Sequence, residues 1–221
     1  HADAFTLTAR LSDEDYGVEV VVTATPSPDY EIREARCRVL AGAVDPSIAN
    51  AFGSLVGARM VGGFTRQVAE IAGARPGAQL TVDAALEVAR LARQATRMPA
   101  EQARLAAGGD PWQCWQLDMT GWVDIPNSCF TYSEAGRALF GSRQITTEMN
   151  PDLYCPPPGK RVFNRKKVAR LERTGSRLAL FHSMEAEAHG FELRYEIDLD
   201  AQKIVEAESV TRKELMVRVE M

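Results

Sequence analysis

Two distant stretches of the chain follow one short pattern, and that pattern limits the fold more than any other feature. Gly17-Val-Glu-Val-Val-Val, a turn containing Asp29 and Ile32-Arg-Glu-Ala35 are echoed by Gly190-Phe-Glu-Leu-Arg-Tyr, a turn containing Asp200 and Ile204-Val-Glu-Ala207. Either the chain carries a duplicated strand–turn–strand unit, or two ordinary hairpins share glycine, glutamate and β-branched residues. Both readings put antiparallel strands at each end of the chain. If the duplication is real, the two meanders join in one sheet or pack face to face, with helices covering one side.

The flanking segments agree. Phe5, Leu7, Ala9 and Leu11 alternate with Thr6, Thr8 and Arg10, the period-two signature of a half-buried strand. Val18–Thr25 and Tyr30–Leu40 supply two more strands, separated by turns at Asp13–Gly17 and Pro26–Asp29. Asp45-Pro46 then opens a helix through about Leu55, and Phe64–Ala72 forms another that Gly73 ends. Thr81 caps the longest helix, which runs to about Arg97 on a core stripe of Val82, Leu86, Ala89 and Ala92. A short helix over 100–107 follows. The stretch 110–159 reads as irregular, ending in the stiff connector Cys155-Pro-Pro-Pro-Gly159. Strands resume at Arg161–Leu171, Leu178–Ala186, Phe191–Leu199, Lys203–Val210 and Leu215–Met221. The expectation is an α+β single domain over 1–221, with two antiparallel β-meanders (1–44 and 160–221) forming a curved sheet around a helical insert (45–109).

Composition excludes several function classes. The 221 residues are 45% hydrophobic and 25% charged, an ordinary globular balance with length enough for a real core. No apolar run approaches the roughly 20 residues of a membrane helix, so no membrane partner is expected. With 26 basic against 30 acidic residues, the net charge of −4 provides no field for nucleic acid. Four cysteines (37, 114, 129 and 155) form no CxxC pair, and the start lacks the basic and apolar regions of a signal peptide. The expected setting is therefore cytoplasmic, with reduced thiols. Apart from His1, only His182 and His189 are histidines, and their spacing matches no known ligand set, so no metal is expected. There is no phosphate loop, dinucleotide fingerprint or serine nucleophile elbow, and no cofactor is expected.

Roughly residues 5–135 resemble the bacterial domain-of-unknown-function family 2889. The likeness rests on the opening meander, Ser54-Leu-Val-Gly-Ala-Arg-Met-Val-Gly-Gly-Phe-Thr-Arg66, Gly77 before the long helix, and Asn127-Ser-Cys-Phe-Thr-Tyr132. The family's Gly-Cys-Thr-His-Leu element is replaced here by Gly77-Ala-Gln-Leu-Thr81, so no role of its cysteine and histidine carries over. The family's activity is largely unassigned, and the resemblance implies no chemistry.

The chemical candidates come from the residues themselves. His182 shares one strand face with Leu178, Leu180, Met184 and Ala186 by period two, and Tyr195 faces the same side from the neighbouring strand. Such a pair moves a proton if it lines a cavity, and is one buried hydrogen bond if it does not. Tyr132 is a second hydrogen-bond donor, three residues from Cys129. A nucleophilic cysteine needs a nearby base or helix N-terminus, so Cys129 reads first as structural. Trp112, Trp115 and Trp122 line a pocket for a flat apolar ligand or plug an interface. Between Lys160 and Arg173 the chain places a run of cations. They bind nucleic acid, guard a solvated edge strand, or offer Arg161 or Arg165 to anchor a carboxylate or phenolate. The acidic total favours the last two.

Two function classes follow. One is a cofactor-independent lyase or isomerase acting on a small hydrophobic or aromatic compound, such as a plant-derived phenolic. His182 would be its acid/base, Tyr195 or Tyr132 its hydrogen-bond donor, and Arg161 or Arg165 its anion anchor. The other is a non-enzymatic module that binds a small ligand or a protein partner. A homodimer is expected in either case, because Leu215, Val217, Val219 and Met221 give the last strand one apolar face.

Overall fold

The computed structural model of the chain describes residues 4–26, 29–94, 101, 115–116, 119, 127, 130–142, 145–146, 159, 163–186, 189–214 and 218–219. Contacts divide the chain, grouped above as one domain, into two compact units, His1–Arg97 and Met98–Met221. The fold is α+β, and its two antiparallel meanders are separate open sheets rather than one.

In the first unit β1 (Phe5–Ser12), β2 (Gly17–Ala24) and β3 (Ile32–Ala41) pair in chain order. Alternation puts Val18, Val20 and Val22 of β2 on one face, opposite Leu11, Ala9 and Leu7 of β1 and Val39, Cys37 and Ala35 of β3. Helices cover that face. α1 (Pro46–Ala51) starts where expected: Asp45 accepts from the Ser47 backbone N–H at 2.8 Å, and Pro46 takes the first turn. A 3-10 turn over Phe52–Leu55 continues it. α2 (Phe64–Ala72) and α3 (Ala78–Gln94) complete the layer, with α3 lying on β1 and β2 and α2 packed against α3. Phe52, Ile48, Val68 and Val88 have essentially no exposed surface. Each such side chain contributes about 1.5–3 kcal/mol by burial.

The start of α3 differs from the expectation. Thr81 is not its cap but a fully buried residue inside the first turn, whose hydroxyl donates to the Gly77 carbonyl at 3.0 Å. Gly77, at φ +77°, turns the chain four residues earlier. The buried stripe is correspondingly centred on Thr81, Ala85, Val88 and Ala92, with Leu86 and Ala89 at its margin. A Cβ at position 77 would stand 2.7 Å from a Val44 methyl carbon, so the close approach also needs glycine.

On the outer face of β2, Glu19 is 8% exposed and lies opposite Arg10 on one side and Arg38 on the other. Arg10 donates to one carboxylate oxygen, and the Arg38 guanidinium is 3.0 Å from the other. The Arg10 hydrogen bond, with the charges of both arginines, holds the Glu19 carboxyl below the ordinary range, against the opposing effect of burial.

In the second unit the segment over 110–159 is not wholly irregular. A 3-10 turn (Phe130–Tyr132) leads into α4 (Glu134–Ser142). The Ser133 hydroxyl accepts from the Gly136 N–H at 3.1 Å and donates to the Phe130 carbonyl. That serine followed by Glu134 is the start signal the sequence reading passed over. A two-residue strand, β4 (Ile145–Thr146), pairs with β9 (Arg218–Val219), so the described part of the last strand lies in a ladder of its own. The remaining strands make one meander: β5 (Arg165–Thr174), β6 (Arg177–Ala186), β7 (His189–Asp198) and β8 (Lys203–Glu214). Gly175-Ser176 is the two-residue turn between β5 and β6, with Gly175 at φ +61°. Asp198 closes the turn between β7 and β8 by accepting from the N–H groups of Asp200 and Ala201. The helix expected over 100–107 lies outside the described residues, apart from Glu101.

Two outcomes follow from the first unit. Gly77→Ala lowers the urea midpoint more than Gly63→Ala, because Gly63 shares a positive φ but has nothing within 4 Å of its would-be Cβ. Overpacking of this kind costs about 1–3 kcal/mol, and equal midpoints would show that φ alone decides. Folded Glu19 binds fewer protons than unfolded Glu19 at mildly acid pH. Its contribution is therefore present at neutral pH and fades as pH falls through and below the ordinary carboxylate range. Thermal scans across that window should show a shallower acid loss in Glu19→Gln than in the parent chain.

Candidate functional site

The β5–β8 meander positions the residues singled out from the sequence. Directly opposed residues share a face, so register assigns each side chain. His182 on β6 stands between Ala169 of β5 and Leu193 of β7. The row beside it holds Leu171, Leu180, Tyr195 and Ala207. The row on the other side holds Lys167, Met184, Phe191 and Thr211. His182 and Tyr195 thus occupy neighbouring rows of one face, diagonal to each other at about 7–8 Å between Cα atoms. The His182 ring meets the Phe191 ring edge-on, with centroids 5.6 Å apart and planes at 70°.

Arg165 lies on this face too, opposite Ala186, but four residues along β5 from the His182 row. At about 3.3 Å per residue that is roughly 13 Å, so Arg165 is not a first neighbour of His182. Its guanidinium sits over the Phe163 ring, 5.3 Å from the centroid. Tyr132 is half-buried in the 3-10 turn packed on α4, where its carbonyl accepts from the Asn127 N–H at 3.0 Å. Trp115 is buried, at 6% exposure. Trp112, Trp122, Cys129 and Arg161 lie outside the described residues.

The opposite face of the sheet has a different character, which the sequence reading missed. Glu172, Glu185, Glu192, Glu196, Asp198, Glu206 and Glu208 all fall on it, interleaved with Arg170, Arg177 and Arg194. Arg194 pairs with Glu208 at 3.0 Å, and Arg177 with Glu196 at 3.3 Å and Asp198 at 3.5 Å. Glu192 takes both Arg212 and Arg194, and the Arg212 hydrogen bond holds its carboxyl below the ordinary range. Arg170 and Arg194 lie over the Phe181 ring, at 5.8 and 5.7 Å from its centroid. A cleft of about 310 Å³ opens around this group, with Glu172, Glu206 and Glu208 on its rim. Carboxylates outnumber arginines in its lining, where Arg194 pairs with Glu208.

The His182 face is the complement. Among the described residues it carries no carboxylate in the four rows from Lys167 and Thr211 to Arg173 and Ile204; the Arg165 row beyond them ends on Glu214. Leucine, methionine, phenylalanine and isoleucine fill its centre, and its cations, Arg165, Lys167 and Arg173, stand along β5. Leu171 and Ile204, on its two margins, are 63% and 59% exposed. β5 is an edge strand, and its exposed Lys166, Lys167, Arg170 and Arg173 discourage pairing with a like strand. Among the described residues no group of three His, Cys, Asp or Glu side chains is placed to hold a metal ion, and no helix is long and apolar enough to cross a membrane. Comparison of the chain with family models, with curated proteins and with solved structures finds no match.

Proposed function

We propose that the chain is a non-enzymatic protein-interaction module whose contact surface is the His182 face of the β5–β8 sheet. One observation carries this reading: pleat and register place seven carboxylates on one face and leave an apolar field over the central rows of the other, open at Leu171 and Ile204. Apolar fields of this size on a soluble domain mark contact sites. A small ligand suits the face less well, because a pocket covers 70–90% of its ligand and Leu171 and Ile204 stand open. The cytoplasm is the proposed setting. Burial pushes the half-buried, free Cys37 thiol up, against the opposing Thr81 hydrogen bond. The resemblance to family 2889 enters this proposal as a statement about residues 5–135 and adds no chemistry to the second sheet.

Neighbouring positions on β5 supply the test. A photo-activated cross-linker at position 171 faces the apolar field, and one at 172 faces the charged side. In a cell lysate, position 171 gives a discrete cross-linked species, with a second copy or with another protein, and position 172 does not. Absence of a product at 171, or equal labelling at both, overturns the reading.

A second reading keeps the acid/base lyase or isomerase acting on a small hydrophobic or aromatic compound, favoured by His182 and Tyr195 lying in adjacent rows of one face. In that case His182→Ala lowers turnover of a phenolic substrate by about 10²–10⁴-fold. Unchanged turnover removes it.

A further inference from the structure

Resting on the interaction reading, we propose that the partner of the apolar face is a second copy of this chain, stacked on it as a two-fold β-sandwich. The rows of the sheet are self-complementary under one rotation. A two-fold axis running between two such faces, along the strands, lays the β5 margin of one copy over the β8 margin of the other and keeps each row level with itself.

Row by row, the contacts then match. Leu171 on one margin meets the partner's Ala207, and the partner's Ile204 stands diagonal to it one row away, so the two exposed apolar residues on opposite margins become neighbours twice. His182 lies over the partner's Leu193, and Met184 over the partner's Phe191. Lys167 meets the partner's Thr211 and Arg173 the partner's Ile204 at the rim, so no cation faces a cation, and the row of Arg165 ends on the one carboxylate residue of this face among the described residues, Glu214.

The area is sufficient. Four strands at about 4.8 Å spacing and about ten residues at 3.3 Å give a face of roughly 600 Å². Two such faces bury about 1,200 Å², the lower bound for a specific interface. A free monomer would leave the same field in water.

The test uses the full chain and two exposed positions whose replacement leaves the monomer's core untouched, Leu171→Glu and Ile204→Lys. Light scattering at about 50 µM should give twice 24.3 kDa for the parent chain. Each variant alone should weaken self-association at least about tenfold, because each puts a charge into two apolar contacts. An equimolar mixture of the two should restore the dimer, since one contact becomes an ion pair and the other stays native. A parent chain that is monomeric at this concentration, single variants that stay dimeric, or a mixture that stays monomeric each overturns the second-copy partner. A monomeric parent that still cross-links another protein through position 171 removes this inference and leaves the interaction reading standing. A monomer with no product at 171 removes both.

Discussion

A pleated strand sends consecutive side chains to opposite faces, and everything distinctive in both units depends on how that alternation is matched across strands. In β2 it puts Val18, Val20 and Val22 under the helices and Glu19 on the other side, between two arginines. In the second sheet it sorts apolar from charged residues. One rule thus yields a covered face in the first unit. In the second it yields a charged face that answers itself with ion pairs, and an apolar face whose margins remain open at Leu171 and Ile204.

The segregation in the second sheet is a property of register rather than of any single strand. Leu178, Leu180 and His182 show their common face to anyone counting by twos, and the sequence reading places Tyr195 on the same side. The location of Glu206 and Glu208 is different. It depends on where β8 slips by one residue beside Glu196 and Ile197, and nothing in the residues of β8 announces that slip. The same gap explains Arg165, which alternation puts on the right face and register puts four residues from His182. Period-two counting finds faces, while turns and bulges decide who meets whom.

Helices were legible where a start signal and an apolar stripe coincide, as at Asp45-Pro46 and Phe64–Ala72. α3 was found, but its start was misplaced, because threonine is a good cap and Gly77 at positive φ was not recognised as the turning point. Thr81 instead satisfies its hydroxyl by bonding back to the Gly77 carbonyl, which lets a polar residue sit in the core at little cost. α4 was missed beneath the impression left by tryptophans, cysteines and prolines, although Ser133-Glu134 is an ordinary helix opening.

The cation-lined edge at β5 makes the sheet's solubility a function of ionic strength. Repulsion between like charges extends about 8 Å in physiological salt and about 3 Å at 1 M, while strands pair at about 4.8 Å. In ordinary buffer two β5 edges feel each other before their backbones can bond. In concentrated salt the barrier shrinks inside the bonding distance. A ten-residue strand at the edge of its sheet then stands as open to its own kind as an unguarded fibril template. A preparation salted out and redissolved is therefore not physically equivalent to one that never left dilute buffer.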